Sequence, residues 1–525
     1  MNLFKEIFSG RSSFHAVLIV ASILFVFLFS TSTSPLYSSW GDDSAIFQAV
    51  GKGWTEGRLP YVDMFENKGA LIFLIDALGY MIYPRIGIFI LQIPAMYFSF
   101  LLAWRSLGLF LSGKTKFVAA IFMIIFDAVY YLDGNRTEEW SMPFLMASTY
   151  FFLRGLKEEK FSCPPLVGFI NGLGFGACVL LRTTNAASLC CCAFLSAIFL
   201  FKAGEFKILL KNILNFCAGA VIIILPFVIY FAAHGALYDM LYGTILLNVI
   251  YSAQRENFLL THLDDFAVYI AIHFMSLYLM ILISVAAFVK NKSRLAISGL
   301  FCGAIILAML IKLSPYLGYC ALITPLLPIF FALLSDYAEN FRELWSDKNF
   351  SVKRIICKFI VVIVMIYPLI LLRMVSGFIE SSNSEFASKY DRNENSEMLR
   401  LGEFIPPEER NSVMIWGEGF NASHWILTTG IFPSCRFFGN VKAFANVDPN
   451  VKREWFEFVR NNSPKWIIYS APEKELADEK MEIWMKFFRT NRDTDVERLL
   501  QERYNLVGET KTYQNFFGLY RLKER

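Results

Sequence analysis

Long apolar runs alternate with short polar loops over the first three quarters of the chain. The runs are roughly 17–23 residues long, enough to cross about 30 Å of hydrocarbon at 1.5 Å per residue. Those near 15–32, 86–110, 117–132, 140–154, 164–181, 186–201, 212–232, 265–289, 295–312, 317–335 and 355–375 predict about eleven transmembrane helices. One run departs from the pattern. Residues 69–83, GALIFLIDALGYMIY, are short and contain Asp76. Counting them as a span would invert every later loop, so they read as a helix along the outer interface, within a long first external loop at 33–85. From 376 onward charges become frequent and apolar runs shrink to strand length. Residues 412–417 and 465–470 read as buried strands, 473–500 as helical, and 505–512 with 516–522 as a hairpin. The fold class expected is a mostly α polytopic membrane protein with a C-terminal soluble α/β or α+β domain. The expected division is a membrane domain at 1–375 and an extracytoplasmic domain at 376–525, with an amphipathic cytoplasmic helix at 337–354.

Charge adds an orientation. Lys and Arg gather in alternate loops: Lys114 and Lys116; Arg154, Lys157 and Lys160; Lys202, Lys207 and Lys211; Lys290, Lys292 and Arg294; Lys353 and Arg354. Basic loops stay in the cytoplasm, so the N-terminus is expected there. An odd number of crossings then places the C-terminal domain outside, in the periplasm if the membrane is a bacterial inner membrane. The first apolar run follows Lys5 and Arg11 without a small-residue cleavage site, so it reads as a retained helix and not a signal peptide.

Composition agrees. Of 525 residues 56% are hydrophobic, mean hydropathy is +0.46, and only 18% are charged, against about 25% in soluble domains. A net charge of +4 gives no reason to expect nucleic acid. Most of the ten cysteines lie inside apolar runs, where Cys behaves as a small hydrophobe. The soluble domain has only Cys435 and so no internal disulfide. The histidines His15, His234, His262, His273 and His424 show no ligand spacing. Gly172, Gly174 and Gly176 within an apolar run predict close helix packing, not a nucleotide fingerprint.

Candidate chemistry lies in polar clusters on the expected outer side: Trp40 to Ser44, Tyr61 to Gly69, and Asp133 to Glu139. Ionisable groups beside hydrocarbon are costly and tend to be functional. Each also has a plainer role open to it. Asp42 and Asp43, or Glu138 and Glu139, could cap helices, Lys68 and Arg182 could snorkel, and Tyr316 with Tyr319 could belong to an aromatic belt.

The loop GDDSAIFQAVGKGWTEGRLPYVDMFENKGALIF resembles the first external loop of the membrane-embedded C-type glycosyltransferases, which include the protein O-mannosyltransferases and the bacterial transferases that decorate lipid A. The matches are Asp43 after the first helix, Gly57 to Asp63, and Lys68 before an interfacial helix. GNRTEEWSMPF resembles the second acidic motif at Glu138 and Glu139. The likeness covers the first 160 residues; later spans match in order and hydropathy only. Gly69-Ala70 replaces the usual Pro after Lys68, a Glu pair replaces an Asp, and Ser314-Pro315-Tyr316 stands where some members carry a basic residue or His.

The resemblance implies transfer of a sugar from a polyprenyl-phosphate donor to a lipid, glycan or protein acceptor at the outer face of the cytoplasmic membrane, with inversion. Asp43 would be the general base, with Asp42 one residue early. Lys68, and second Arg182, would neutralise the lipid phosphate. Glu138 or Glu139 would orient the acceptor. Tyr61, Asp63, Glu66 and Tyr316 are further candidates for substrate contact. A divalent cation, Mg²⁺ or Mn²⁺, would suit carboxylates such as Asp43 and Glu139, but members differ in metal dependence and the question stays open. The C-terminal domain is expected to shape acceptor access or stability without holding the catalytic carboxylates. Competing readings are a transporter or lipid flippase, which should carry mid-membrane charges and repeats, and an O-antigen-type polymerase or ligase.

Overall fold

The computed structural model describes residues 7–8, 10–254, 269–291, 293–313, 316–336, 366–375, 397–417, 420–439, 441–472, 493–511 and 515–524. The expected helix at 337–354, the first part of the span at 355–375, and 473–492 lie outside them, as do His262, Ser314 and Pro315.

The chain is a multi-pass integral membrane protein. Its helices are α1 (Ser12–Phe29), α2 (Asp43–Thr55), α3 (Ala70–Ile82), α4 (Ile86–Leu107), α5 (Gly113–Tyr130), α6 (Thr137–Lys157), α7 (Pro165–Leu181), α8 (Ala187–Lys202, entered through a 3₁₀ turn at Thr183–Ala186) and α9 (Phe206–Ala233). After α9 come α10 (Leu237–Leu241), a π turn at Tyr242–Leu246, α11 (Leu247–Gln254), α12 (Met275–Asn291), α13 (Arg294–Leu313), a 3₁₀ stretch at Leu317–Leu326 and α14 (Leu327–Asp336). Among the described residues six are long and apolar enough to cross a bilayer: α1, α4, α8 with its 3₁₀ turn, α9, α13, and α14 with its 3₁₀ stretch. The other expected spans fall on helices that are shorter, such as α7 and α12, or carry more polar residues, such as α6. With 13 residues, α3 is about 20 Å long, short of the roughly 30 Å of hydrocarbon.

Helix α6 runs through the core, with Leu145, Met146, Tyr150 and Leu153 buried, whereas α1 and α9 are largely exposed, as lipid-facing helices are. The basic loops meet at one end of the bundle. Lys157 donates to Leu109 O (2.7 Å), Lys160 pairs with Glu205, and Arg294 reaches the carbonyls of Glu158 and Glu159 (2.6 and 2.9 Å). The acidic loops occupy the other end.

The packing of α7 on α9 refines the glycine expectation. A Cβ at Gly168 would lie 2.4 Å from Asn212 O, at Gly172 2.0 Å from Phe216 O, and at Gly176 3.0 Å from Ala220 O. The spacing of four on both helices is the small-residue seam of close membrane packing. Gly174 belongs to the opposite face, against Leu189 and Phe144.

The C-terminal region forms a four-stranded mixed sheet in the order β1-β2-β4-β3: β1 (Val413–Trp416) parallel to β2 (Trp466–Pro472), and β4 (Asn515–Leu522) antiparallel to both β2 and β3 (Tyr504–Lys511). Its helices are α15 (Phe420–Thr429), α16 (Val441–Val447), α17 (Pro449–Asn462) and α18 (Thr494–Arg503). Both sheet faces are covered, which is why β1 and β2 read as continuous apolar runs. Met414, Trp416, Ile467 and Tyr469 face α17 through Trp455 and Val459. Val413, Ile415, Ile468 and Phe517 join a core shared with α15 and with Ala45, Ile46, Ala49 and Val50 of α2. The sheet and the first loop therefore share one apolar core.

Gly172→Val is expected to push α7 from α9. Overpacking costs about 1–3 kcal/mol, so the thermal midpoint of the purified protein should fall, while Gly174→Ala, opposed by side chains, should shift it less.

Candidate active site

Helix α1 ends in a turn that would leave carbonyls unpaired. Arg85 satisfies them, donating to Thr31 O (3.1 Å), Ser32 O (2.9 Å) and Ser34 O (3.2 Å), while its guanidinium stacks over Trp40 at 5.5 Å. The segment then reaches Gly41 at φ +70°, where a Cβ would come within 2.9 Å of Asp133 and Ser32. Asp42 N donates to Asp133 Oδ2 at 3.0 Å. The acidic pair is thus bolted to the loop before α6. Asp42 is the N-cap of α2 but makes no side-chain capping bond, so capping does not explain it.

That loop turns through Leu132, Gly134 and Asn135, all at positive φ (54°, 73° and 52°). The turn brings Arg136 inward, where it is 4% exposed. Arg136 donates to Asp43 (3.3 Å) and Asp133 (3.2 Å) and bonds the Tyr316 hydroxyl, and the Tyr316 ring lies 5.1 Å beneath it. A buried guanidinium is tolerated only when paired in this way. Sequence reasoning singled out the acids of this loop and passed over Arg136. The available signal was a lone cation among acids at a helix start.

The two glutamates separate. Glu138 faces Arg182, at 3.1 Å. Glu139 turns into a buried network, accepting from Gln92 (3.0 Å to each oxygen), from Asn135 N (2.7 Å) and from the Tyr131 hydroxyl. Asn135 links this network to Ser44 (3.0 Å) and to Asp76 (3.2 Å), the acid that marked the short apolar run. Glu139 at the third position of α6 reaches back to a backbone N–H, half of a capping box.

Arg182 ends α7. Besides Glu138 it donates to the Tyr319 hydroxyl (2.6 Å) and stacks on that ring at 4.2 Å, and Tyr319 meets Tyr316 edge-on at 5.2 Å. The tyrosine pair therefore supports two arginines. Lys68 comes alongside through its neighbour. Gly69 N donates to Leu181 O (3.2 Å), and a Cβ at Gly69 would lie 2.1 Å from Leu180 O. This close approach accounts for glycine after the loop lysine. The Lys68 ammonium donates to Asn67 Oδ1 (2.8 Å) and lies 3.5 Å from Glu66 Oε1. Tyr61, fully buried, donates to Lys68 O (2.8 Å) and meets Thr244 (3.1 Å). It holds the loop from inside and is closed to direct contact. Asp63 is exposed and accepts from Leu59 N (2.6 Å), fixing a turn.

Asp43, Glu66, Glu138, Lys68, Arg136 and Arg182 thus gather at one end of the bundle, with Asp43 in the electrostatic reach of Glu66, Arg136 and Arg182. Asp42 is exposed, yet crowding by protein and the nearby Asp133 and Asp43, opposed by Arg136, push its carboxyl up to about 7. Burial pushes the Glu66 carboxyl up as well, against the pull of Lys68. Beneath Arg136 a small cavity reaches Asp127 of α5, which accepts from Thr324 (3.2 Å). An acid inside an apolar helix is a signal that sequence reasoning left unused.

The carboxylates considered for a divalent cation do not suit one. Asp43 already faces a guanidinium, and the oxygens of Glu139 are taken by N–H and O–H donors. Among the described residues no group of three or more His, Cys, Asp or Glu is placed to hold a metal.

No protein-family profile matches the sequence, and no curated protein does. Solved structures do. ArnT from Cupriavidus metallidurans bound to undecaprenyl phosphate aligns over 97% of this chain and 98% of its own, at a TM-score of 0.55 and 9% identity. The chain shares the ArnT fold. The apo state of ArnT aligns over the same shares at 0.51 and 11% identity. The archaeal oligosaccharyltransferase AglB from Archaeoglobus fulgidus, in complex with an inhibitory peptide and a dolichol-phosphate, aligns over 87% of this chain and 69% of its own, at a lower TM-score of 0.47 and 12% identity. The ArnT likeness agrees with the architecture implied by the first loop and spans membrane helices and C-terminal sheet together.

Asp42 generates a pH prediction. A carboxyl that keeps its proton more firmly in the folded state stabilises below its unfolded pKa, near 3.8, and that contribution is lost as pH rises through about 7. Asp42→Asn should therefore raise the thermal midpoint at pH 8, with the gain shrinking toward pH 4. Midpoints measured in detergent across this range check it.

Proposed function

We propose that this chain is an inverting membrane glycosyltransferase that moves a sugar from a polyprenyl-phosphate donor to a hydroxyl acceptor at the outer face of the cytoplasmic membrane. The supporting observation is the convergence of Asp43 and Glu138, from separate loops, with Lys68 and Arg182 at the end of the bundle opposite the basic loops. ArnT, which shares the fold, was solved with undecaprenyl phosphate. In this reading residues 1–375 form the catalytic membrane domain, the N-terminus is cytoplasmic, and 376–525 lie outside.

A hydroxyl is a weak nucleophile and needs a base as it attacks. Asp43, held by Arg136, takes the proton while the acceptor oxygen bonds to the anomeric carbon. The bond from that carbon to the phosphate oxygen breaks on the opposite side, and a single displacement inverts the centre. Negative charge develops on the lipid phosphate, where Lys68 and Arg182 stabilise it. Both cations are preorganised, Arg182 by Tyr319 and Glu138, Lys68 by the Gly69–Leu181 contact. Glu138 orients the acceptor, and Glu139 acts behind it by fixing the Arg136 loop.

The test is incubation of purified, lipid-reconstituted protein with radiolabelled polyprenyl-phosphate sugars, following release of label from the lipid. A transporter or flippase would move labelled lipid across the bilayer without cleaving it. Asp43→Asn is expected to lower transfer by about 10²–10⁴ while leaving insertion intact; transfer at the wild-type level would remove Asp43 from the mechanism. Lys68→Ala should weaken donor binding about tenfold or more, the worth of a hydrogen bond to a charged group. Unchanged donor affinity would refute the phosphate assignment.

A further inference from the structure

We propose that the C-terminal region positions both reacting segments of the first loop, and that His424 is the residue through which it holds the Asp42–Asp43 pair. The inference rests on the transferase reading for its kinetic consequence only. His424 lies on α15, is 9% exposed, and its Nε2 is 2.9 Å from Gly41 O. A backbone carbonyl can only accept, so Nε2 carries the proton of this bond. Gly41 immediately precedes the acid pair, and its side-chain face is closed by Ser32 and Asp133, each 2.9 Å from where a Cβ would stand. The bond is reinforced by packing, since α15 lies on α2, whose first residue is Asp43.

The second hold is on the segment that carries Lys68. Arg436 donates from Nη1 to Asp239 (2.7 Å) and Tyr61 O (3.4 Å), and pairs with Glu454 through Nε and Nη2 (2.7 Å each), while its own carbonyl accepts from Phe65 N (2.8 Å). Tyr61 in turn donates to Lys68 O. Arg58 Nη1 adds a bond to Pro433 O at 3.3 Å. The region supplies neither base nor phosphate ligand, yet it contacts the chain just before each of them. The pattern fits a template for the loop better than a passive cover over it.

The full-length chain in lipid nanodiscs, as wild type, His424→Ala and His424→Gln, tests this by hydrogen exchange over residues 38–47 and by kcat and KM for donor cleavage. Glutamine is the informative rescue, because its Nε2 can donate to Gly41 O from a similar reach. Expected for His424→Ala is at least tenfold faster exchange at 38–47, unchanged exchange across α7, a kcat at least tenfold lower and a KM within twofold of wild type. His424→Gln should return both readouts to within about threefold. Wild-type exchange and kcat in His424→Ala would overturn the proposal. So would equal damage in both variants spread over the whole chain, which marks lost packing and not a lost hydrogen bond. If the wild-type chain cleaves no donor, the transferase reading fails, and the exchange comparison alone decides whether His424 holds the segment.

Discussion

A buried guanidinium organises the acidic end of this protein. Arg136 is nearly inaccessible, and an unpaired cation there would cost several kcal/mol. Its partners come from different parts of the chain: Asp43 from the first loop, Asp133 from its own loop, Tyr316 from just before the 3₁₀ stretch at Leu317–Leu326. Satisfying one charge therefore fixes where three segments meet. The same logic recurs at Arg182, with Glu138 and Tyr319 as partners. Two arginines on an edge-on tyrosine pair form a floor, and Asp43, Asp133 and Glu138 are held by that floor.

Such an arrangement separates chemistry from support. Asp43 and Glu138 each have one side toward a cation, Asp43 part-exposed and Glu138 buried, whereas Glu139, Asp76, Gln92 and Asn135 are buried and bonded to one another. Buried carboxylates without a cation are costly, and at Glu139 the cost is offset by amide, phenol and backbone donors. The network also pins the acid loop, since Asn135, at its left-handed φ, bonds Glu139, Asp76 and Ser44 together. Misplacing a catalytic carboxylate by about 1 Å can cost 10²-fold in rate, so this support has functional weight under the transferase reading.

Much of the fold was legible because apolar run length is a one-dimensional signal. The expected spans fall on helices wherever they are described, and both apolar β-runs and the terminal hairpin are strands. The run at 69–83, set apart by its length and by Asp76, is a helix of 13 residues. The site was legible in outline. Loop order brought Asp43, Lys68, Glu138 and Arg182 together, but not the difference between Glu138 and Glu139, which are adjacent in sequence and diverge only because a helix rotates successive side chains by about 100°. Arg136 stayed hidden because its inward aim depends on three left-handed residues, of which Gly134 and Asn135 favour such a φ but Leu132 does not. Tyr61 looked like a substrate contact because aromatic residues in polar loops often are; its complete burial makes it a strut.

The C-terminal region was the least legible part, for a physical reason. Its own strands and helices follow from local patterning, but its attachment depends on surfaces that alternate along the sheet. One face of β1 and β2 closes on α17, and the other merges with the core of α2. A strand buried on both sides reads as a uniform apolar run, so the sequence gives no hint that half of those side chains belong to a core shared with the first loop. Once that core is shared, the two regions do not settle independently. One face of the sheet packs in the same core as α2, and α2 begins at Asp43. The ArnT fold likeness over nearly the whole of both chains is consistent with this, since the alignment does not stop at the last membrane helix. The acidic residues after the first helix therefore owe their geometry to residues about 400 positions away, an arrangement that only long-range packing can produce.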